Sequence, residues 1–169
     1  PYLRVSFLSE RSFFKTNSPF LHHTRGLNFM QIQTEWDFYF CTIEDQPASI
    51  MVDLALNDLA PIADKAEFIQ IAVTLNQPND HGLTTPGEAE TLYVMEDRLA
   101  EKFTAKLEGL YAGRNTHNGK RTFYYYCKSD EDHEAVIKSV MDQFSGYQYV
   151  SEALPDPDWA FYQQFLFPS

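Results

Sequence analysis

Glu96 breaks the rule its neighbours set. Leu92, Met95, Leu99, Phe103 and Leu107 recur at the spacing of a core-facing helical stripe. At 100° per residue from Leu92, Leu99 falls at about 340°, Phe103 at about 20° and Leu107 at about 60°. Glu96 falls at about 40°, inside the stripe, and Asp97 at about 140°, on its border. A carboxylate there loses its water, and an unpaired buried charge is costly. The expected partner is Arg114 or Arg121, or a tyrosine hydroxyl from the run Tyr124 to Tyr126. Such a pair either fixes the helix on a sheet or lines a functional site.

The sharper reading makes Glu96, Asp97 and Arg114 an acid–base or anion-binding site, recognisable by convergence and perturbed pKa values. Arg114, Lys120 and Arg121 lie on or beside one hairpin. With the free N–H groups of the helix that starts after Thr85, they offer a place for a small anion. Arg121 and His81 complete the candidate binding residues. The other chemistries find little footing. The chain has 7 glycines, with no Gly-x-Ser-x-Gly elbow and no Gly-x-Gly-x-x-Gly loop among them. His22 and His23 are adjacent and so point apart in a strand, while His81, His117 and His133 are far apart in sequence. No metal or cofactor is expected. His133 reads as a packed histidine on the second helix, and His117 as an exposed hairpin residue.

Two cysteines, Cys41 and Cys127, sit among strand-forming residues. They are too few for a disulfide framework and read as free core thiols in a reducing, cytoplasmic setting. The strand Lys120-Arg121-Thr122-Phe123-Tyr124-Tyr125-Tyr126 has the basic and aromatic make-up of an RNA-stacking strand. Thr122 replaces the glycine such a strand needs. The charge also opposes it: from Met30 onward 9 basic residues face 23 acidic ones, a net of −14. Residues 1–29, by contrast, hold Arg4, Arg11, Lys15 and Arg25 against Glu10, a net of +3.

The elements that must position these residues follow from pattern. Residues 1–29 show neither clean period nor strong caps and are expected to be a weakly packed basic leader or extension. Residues 30–169 read as one α+β domain. Trp36 to Ile43 and Ala48 to Leu56 form a hairpin about Glu44-Asp45-Gln46-Pro47. Phe68 to Leu75 is a strand. Thr85-Pro86-Gly87-Glu88 opens the first helix as N-cap, N1 proline and capping box, and Gly109 stops it. Leu110 to Thr116 and Arg121 to Cys127 are joined by Asn118-Gly119, the strongest short hairpin signal. Ser129 or Asp130 caps a second helix with the stripe Val136, Ile137, Val140, Met141 and Phe144, and Tyr147 to Val150 is the last strand. The order β-α-β-β-α-β is that of the split βαβ, ferredoxin-like fold. The early hairpin either extends its sheet or packs against it, and the aromatic segment Trp159, Phe161 and Tyr162 seals one edge.

From about Trp36 to the C-terminus the chain resembles the domain-of-unknown-function family 695. The likeness rests on the Trp-containing strand before Ala48-Ser49-Ile50, Asp80-His81-Gly82-Leu83, Glu96-Asp97, Tyr111-Ala112-Gly113-Arg114, and Asp156-Pro157-Asp158-Trp159 with Tyr162 after it. The family implies no established activity. The C-terminal half is also distantly similar, in topology and charge, to the regulator of ribonuclease activity B.

No stretch approaches the run of about 18 apolar residues that a spanning helix needs. The expectation is an acidic, non-enzymatic binding or regulatory module that meets a protein partner, basic in character, through its surface. The alternatives are an enzyme or small-anion-binding domain around Glu96, Asp97 and Arg114, and single-stranded RNA binding on the Tyr124–Tyr126 strand.

Overall fold

The computed structural model describes residues 5–11 as backbone, and residues 33–129 and 131–168 in full. It is an α+β fold built on one antiparallel sheet. Its strands are β1 (Val5–Arg11), β2 (Trp36–Ile43), β3 (Gln46–Asp53), β4 (Glu67–Thr74), β5 (Leu110–His117), β6 (Lys120–Cys127) and β7 (Tyr149–Pro155). Their order across the sheet is β1-β2-β3-β5-β6-β4-β7. Two α-helices, α1 (Pro86–Leu107) and α2 (His133–Met141), and short helical turns at Leu54–Asp58, Asp142–Phe144 and Tyr162–Leu166 accompany the strands among the described residues.

Two tight turns set the registers. Glu44 and Asp45 both take positive φ, as do Asn118 and Gly119, the backbone of two-residue hairpin turns that match strand twist. The first turn is therefore shorter than the composition suggested: β3 starts at Gln46, with Pro47 opposite Thr42. The early hairpin extends the sheet, because Ala48 to Val52 of β3 pair with His117 to Gly113 of β5. Within the segment read as a leader, Val5 to Phe7 pair with Ile43 to Cys41 of β2 and, past a register shift, Arg11 pairs with Tyr39; residues 1–4 and 12–29 lie outside the described residues.

Alternation along the strands divides the core in two. On one face Ile69, Ile71, Val73, Phe123, Tyr125 and Cys127 meet Leu92, Met95, Leu99 and Phe103 of α1 and Ile137, Val140 and Met141 of α2. On the other, Tyr39, Cys41, Ile50, Val52, Tyr124 and Tyr126 meet Trp159, Tyr162, Phe165 and Leu166. The C-terminal aromatic segment thus covers a face of the sheet, where it was expected to seal an edge. Large rings have most to gain from a full face: each fully buried aromatic contributes roughly 2–3 kcal/mol.

Three local expectations are corrected. Thr85 is the N-cap of α1 by backbone but makes no capping bond with its side chain. Glu88, cast as the closing half of a capping box, instead accepts the N–H groups of Asn76 and Gln77 at 2.7 and 2.9 Å and braces the preceding loop. Asp132 caps α2, accepting from the Ala135 N–H, three residues after Ser129; Asp130 lies outside the described residues. At the end of α1 the left-handed residue is Glu108, and the Gly109 N–H returns to the Phe103 carbonyl at 3.0 Å.

Candidate functional site

The site begins with an irregularity in β5. Tyr111 lies opposite Tyr125 and Arg114 opposite Phe123, with a register shift between Tyr111 and Gly113. In a regular strand, residues three apart face opposite ways. The bulge at Ala112-Gly113 puts both Tyr111 and Arg114 on the helix side of the sheet. Gly113 makes this possible: its φ is 150°, and a Cβ there would lie 2.3 Å from the Met51 carbonyl oxygen.

Glu96 of α1 comes down onto this pair. Its Oε1 accepts from the Tyr111 hydroxyl at 2.7 Å and from Arg114 Nε at 3.0 Å, and its Oε2 lies 2.9 Å from the same Nε. Glu96 and Arg114 are buried, at 7% and 6% exposure. Glu96 is buried as its place on the wheel requires, and of the expected partners, Arg114 or Arg121, it is Arg114 that pairs with it. The hydroxyl is supplied by Tyr111, outside the Tyr124–Tyr126 run. Burial alone would lower the Arg114 guanidinium, but the Glu96 charge and hydrogen bond, with Tyr111 and Tyr93 beside it, together outweigh burial and hold the group above its ordinary value. Burial, then the Glu96 charge, pushes the Tyr111 hydroxyl well up.

Arg121 stands beside this pair and, among the described residues, forms no salt bridge with a carboxylate. It lies opposite Thr116 on β5 and is 3% exposed. Its Nε donates to Thr116 Oγ1 at 3.1 Å and its Nη2 to Thr84 Oγ1 at 2.9 Å. Its Nη1 is buried with no partner. Burial first, then the neighbouring Arg114 charge, lowers Arg121 to about 10. Arginine rarely gives up its proton, so this measures how badly the charge is accommodated. Tyr93 of α1 covers both guanidinium groups, its ring centre 5.7 Å from Arg114 Cζ and 5.6 Å from that of Arg121. That ring is 49% exposed.

The remaining candidates fall outside this cluster. Asp97 is exposed; partial burial, then the adjacent Glu96, raises its carboxyl above the ordinary value. His81 is exposed in a loop whose own bonds are structural: Asn79 Oδ1 accepts the His81 and Leu83 N–H groups, both at 2.9 Å. Gly82, at φ 71°, sits against the backbone of Asn118 and Gly119. His117, expected to be exposed, is partly buried and donates from Nε2 to the Ile43 carbonyl at 3.0 Å. Tyr124, Tyr125 and Tyr126 are all buried. Tyr125 stacks on Phe103 and Tyr126 on Trp159, at 4.1 and 3.9 Å between ring centres, so neither ring is open to a base. Cys41 and Cys127 are buried free thiols, on strands separated by β3 and β5.

Tyr111, Thr84, Thr116 and Tyr93 escaped the sequence reading. A glycine inside a strand pattern is the recognised signal of a bulge, and Tyr111-Ala112-Gly113-Arg114 carries it. The C-terminal motif does other work. Asp156 Oδ2 accepts from the Tyr126 hydroxyl at 2.6 Å, Trp159 Nε1 donates to the Lys65 carbonyl at 2.8 Å, and the Tyr162 hydroxyl donates to the Asp53 carbonyl at 2.7 Å. It pins the C-terminal segment to the sheet.

No curated protein and no solved structure matches the chain at a significant level. A family model does, over residues 34–167, and that span takes in every residue of the Glu96 cluster. The chain belongs to this family of unknown function, DUF695.

Proposed function

We propose that the chain is a non-catalytic binding or regulatory domain, cytoplasmic, that engages a basic protein partner through the outer face of α1. The observation that carries this reading is the composition of that face. Glu90, Asp97 and Glu101 are exposed and fall within a sector of about 40° on the helix. Tyr93 and Val94 flank them, 49% and 45% exposed. An acidic stripe bordered by two apolar side chains attracts a cationic surface at long range and gives it something to bury at contact. No helix among the described residues is long and apolar enough to cross a membrane.

The strand order β5-β6-β4-β7, with α1 and α2 on one face, supports a split βαβ unit over residues 67–155, widened by the β2–β3 hairpin. The enzyme alternative draws support from the meeting of Glu96 and Arg114 alone, since Asp97 lies in solvent outside that pair.

The test is comparative capture. Wild-type chain and the triple variant Glu90→Lys/Asp97→Lys/Glu101→Lys, both confirmed folded by circular dichroism, are immobilised and exposed to the same native lysate. A basic protein retained by the wild type and lost by the variant supports the reading. Identical retention by both sinks it.

A further inference from the structure

We propose that Arg114 and Arg121, beneath Tyr93, form a binding site for a single carboxylate group. The inference does not depend on the partner reading, because its two cations are buried under α1, although Tyr93 and the acids of the outer face border both sites.

The first argument is charge. Two guanidinium groups and one carboxylate, Glu96, share this buried cluster, leaving it one positive charge in excess. Among the described residues, Arg121 hydrogen-bonds to threonine hydroxyls and to no carboxylate. Holding a cation out of water in that way is costly unless an anion compensates it. A monoanion brings the cluster to neutrality.

The second argument is the donors that remain. Arg121 Nη1 is unpartnered, and Arg114 bonds Glu96 through Nε only. Among the described residues, the Nη groups of Arg114 make no hydrogen bond. The arginines lie on neighbouring strands, one residue pair apart on the same face, so their free N–H groups can share one planar acceptor. Guanidinium and carboxylate match in that geometry.

The third is access. Tyr93 lies with its ring face over the two cations and is half exposed. Rotation of one surface side chain, a fast motion, uncovers the guanidinium groups without moving a strand or helix. The surroundings select among anions. Glu90, Asp97 and Glu101 are exposed on the same helix, and their field penalises a dianionic phosphate about twice as strongly as a monoanion.

The experiment follows the Nε–H signals of Arg114 and Arg121 by proton–nitrogen NMR on the full chain. Sodium acetate, sodium chloride and sodium sulfate are titrated at matched ionic strength. Acetate is expected to shift both signals saturably, chloride to leave them unsaturated, and sulfate to bind more weakly than acetate. N-acetyl-Ala-Ala with a free C-terminus, against its C-terminal amide, separates a chain-end carboxylate from a free small acid. Tighter binding of the peptide acid than of acetate assigns the site to chain ends, and the reverse assigns it to small acids. Binding of the amide as tight as the acid overturns the proposal.

Arg121→Met is expected to abolish the Arg114 response to acetate. Since that variant leaves a void, Glu96→Gln provides a second arm that preserves shape: removing the competing charge should tighten acetate binding by about tenfold or more. A merely structural arginine pair moves neither reading. Absence of saturation by acetate, equal responses to acetate and chloride, or tighter binding of sulfate each overturns the carboxylate assignment.

Discussion

Tyr111 and Arg114 stand three positions apart on one strand, yet both donate to the same Glu96 oxygen, at 2.7 and 3.0 Å. Only the bulge between them allows this, and the bulge depends on Gly113 at φ 150° with the Met51 carbonyl against it. Gly113→Ala must move either β3 or β5. We expect it to destabilise the fold by roughly 2–4 kcal/mol, read by urea unfolding. A loss below about 0.5 kcal/mol, the range of ordinary surface substitutions, would show that the strand does not need its glycine.

Neighbouring acids on α1 should behave very differently. Glu96→Ala strands a buried guanidinium and a tyrosine hydroxyl, and its expected cost is roughly 3–5 kcal/mol. Asp97 is exposed, so Asp97→Ala should fall within about 0.5 kcal/mol of the wild type. Equal costs for the two variants, measured by the same unfolding curves, would contradict the placement of Glu96 under the helix.

The contrast between Glu96 and Tyr111 shows what was readable in the chain. Glu96 was legible because helical periodicity is local, and one carboxylate inside the stripe of Leu92, Leu99 and Phe103 stands out on a wheel. Tyr111 was not, because strand parity put it on the opposite face from Arg114 until the bulge at Gly113 was recognised. Most strands lie near their expected limits, since alternation and the Asn118-Gly119 turn are also local, but β7 runs Tyr149–Pro155 where Tyr147 to Val150 was expected, and β3 ends at Asp53, short of the expected Leu56. What escaped depended on distant partners. The β2–β3 hairpin joins the sheet through β5, some sixty positions further on, and Trp159 finds its place by bonding the Lys65 carbonyl. Glu88 looked like a capping residue because its spacing from Thr85 was right, but the N–H groups of Asn76 and Gln77 bind it instead.

The C-terminal segment should be a main source of stability. Trp159 is fully buried, stacked on Tyr126 and bonded through its indole N–H. Trp159→Ala is expected to cost roughly 3–5 kcal/mol, while Tyr126→Phe, which loses the bond to Asp156 and the one accepted from the Tyr162 N–H, should cost about 1–3 kcal/mol. Thermal unfolding of the two variants distinguishes them, and a reversed order would contradict the packing.

Alkaline pH should weaken the fold through its thiols. Burial pushes Cys41 up to about 11, and burial, with Glu131 and Glu67 nearby, pushes Cys127 up to about 12, from an ordinary value of 9.0. Both pKa values are raised on folding. The stability they contribute is therefore complete below about pH 9 and is lost as pH rises toward 11 and 12. Above pH 9 the unfolding free energy should fall, by up to about 1.4 kcal/mol per pH unit for each thiol. The double variant Cys41→Ala/Cys127→Ala should show the shallower slope. Equal slopes would mean that neither thiol is shielded.

The pairing of Glu96 with Arg114 organises the whole cluster, and a double-mutant cycle bears on it most directly. Glu96→Ala, Arg114→Ala and the double variant are unfolded in urea beside the wild type. Each single substitution leaves its partner's charge buried without its counter-charge, and the double substitution removes both charges of the pair. The two single costs should therefore exceed the double cost by roughly 2–3 kcal/mol. Additivity within about 0.5 kcal/mol would mean that the two residues do not interact, and that the site is not built as described.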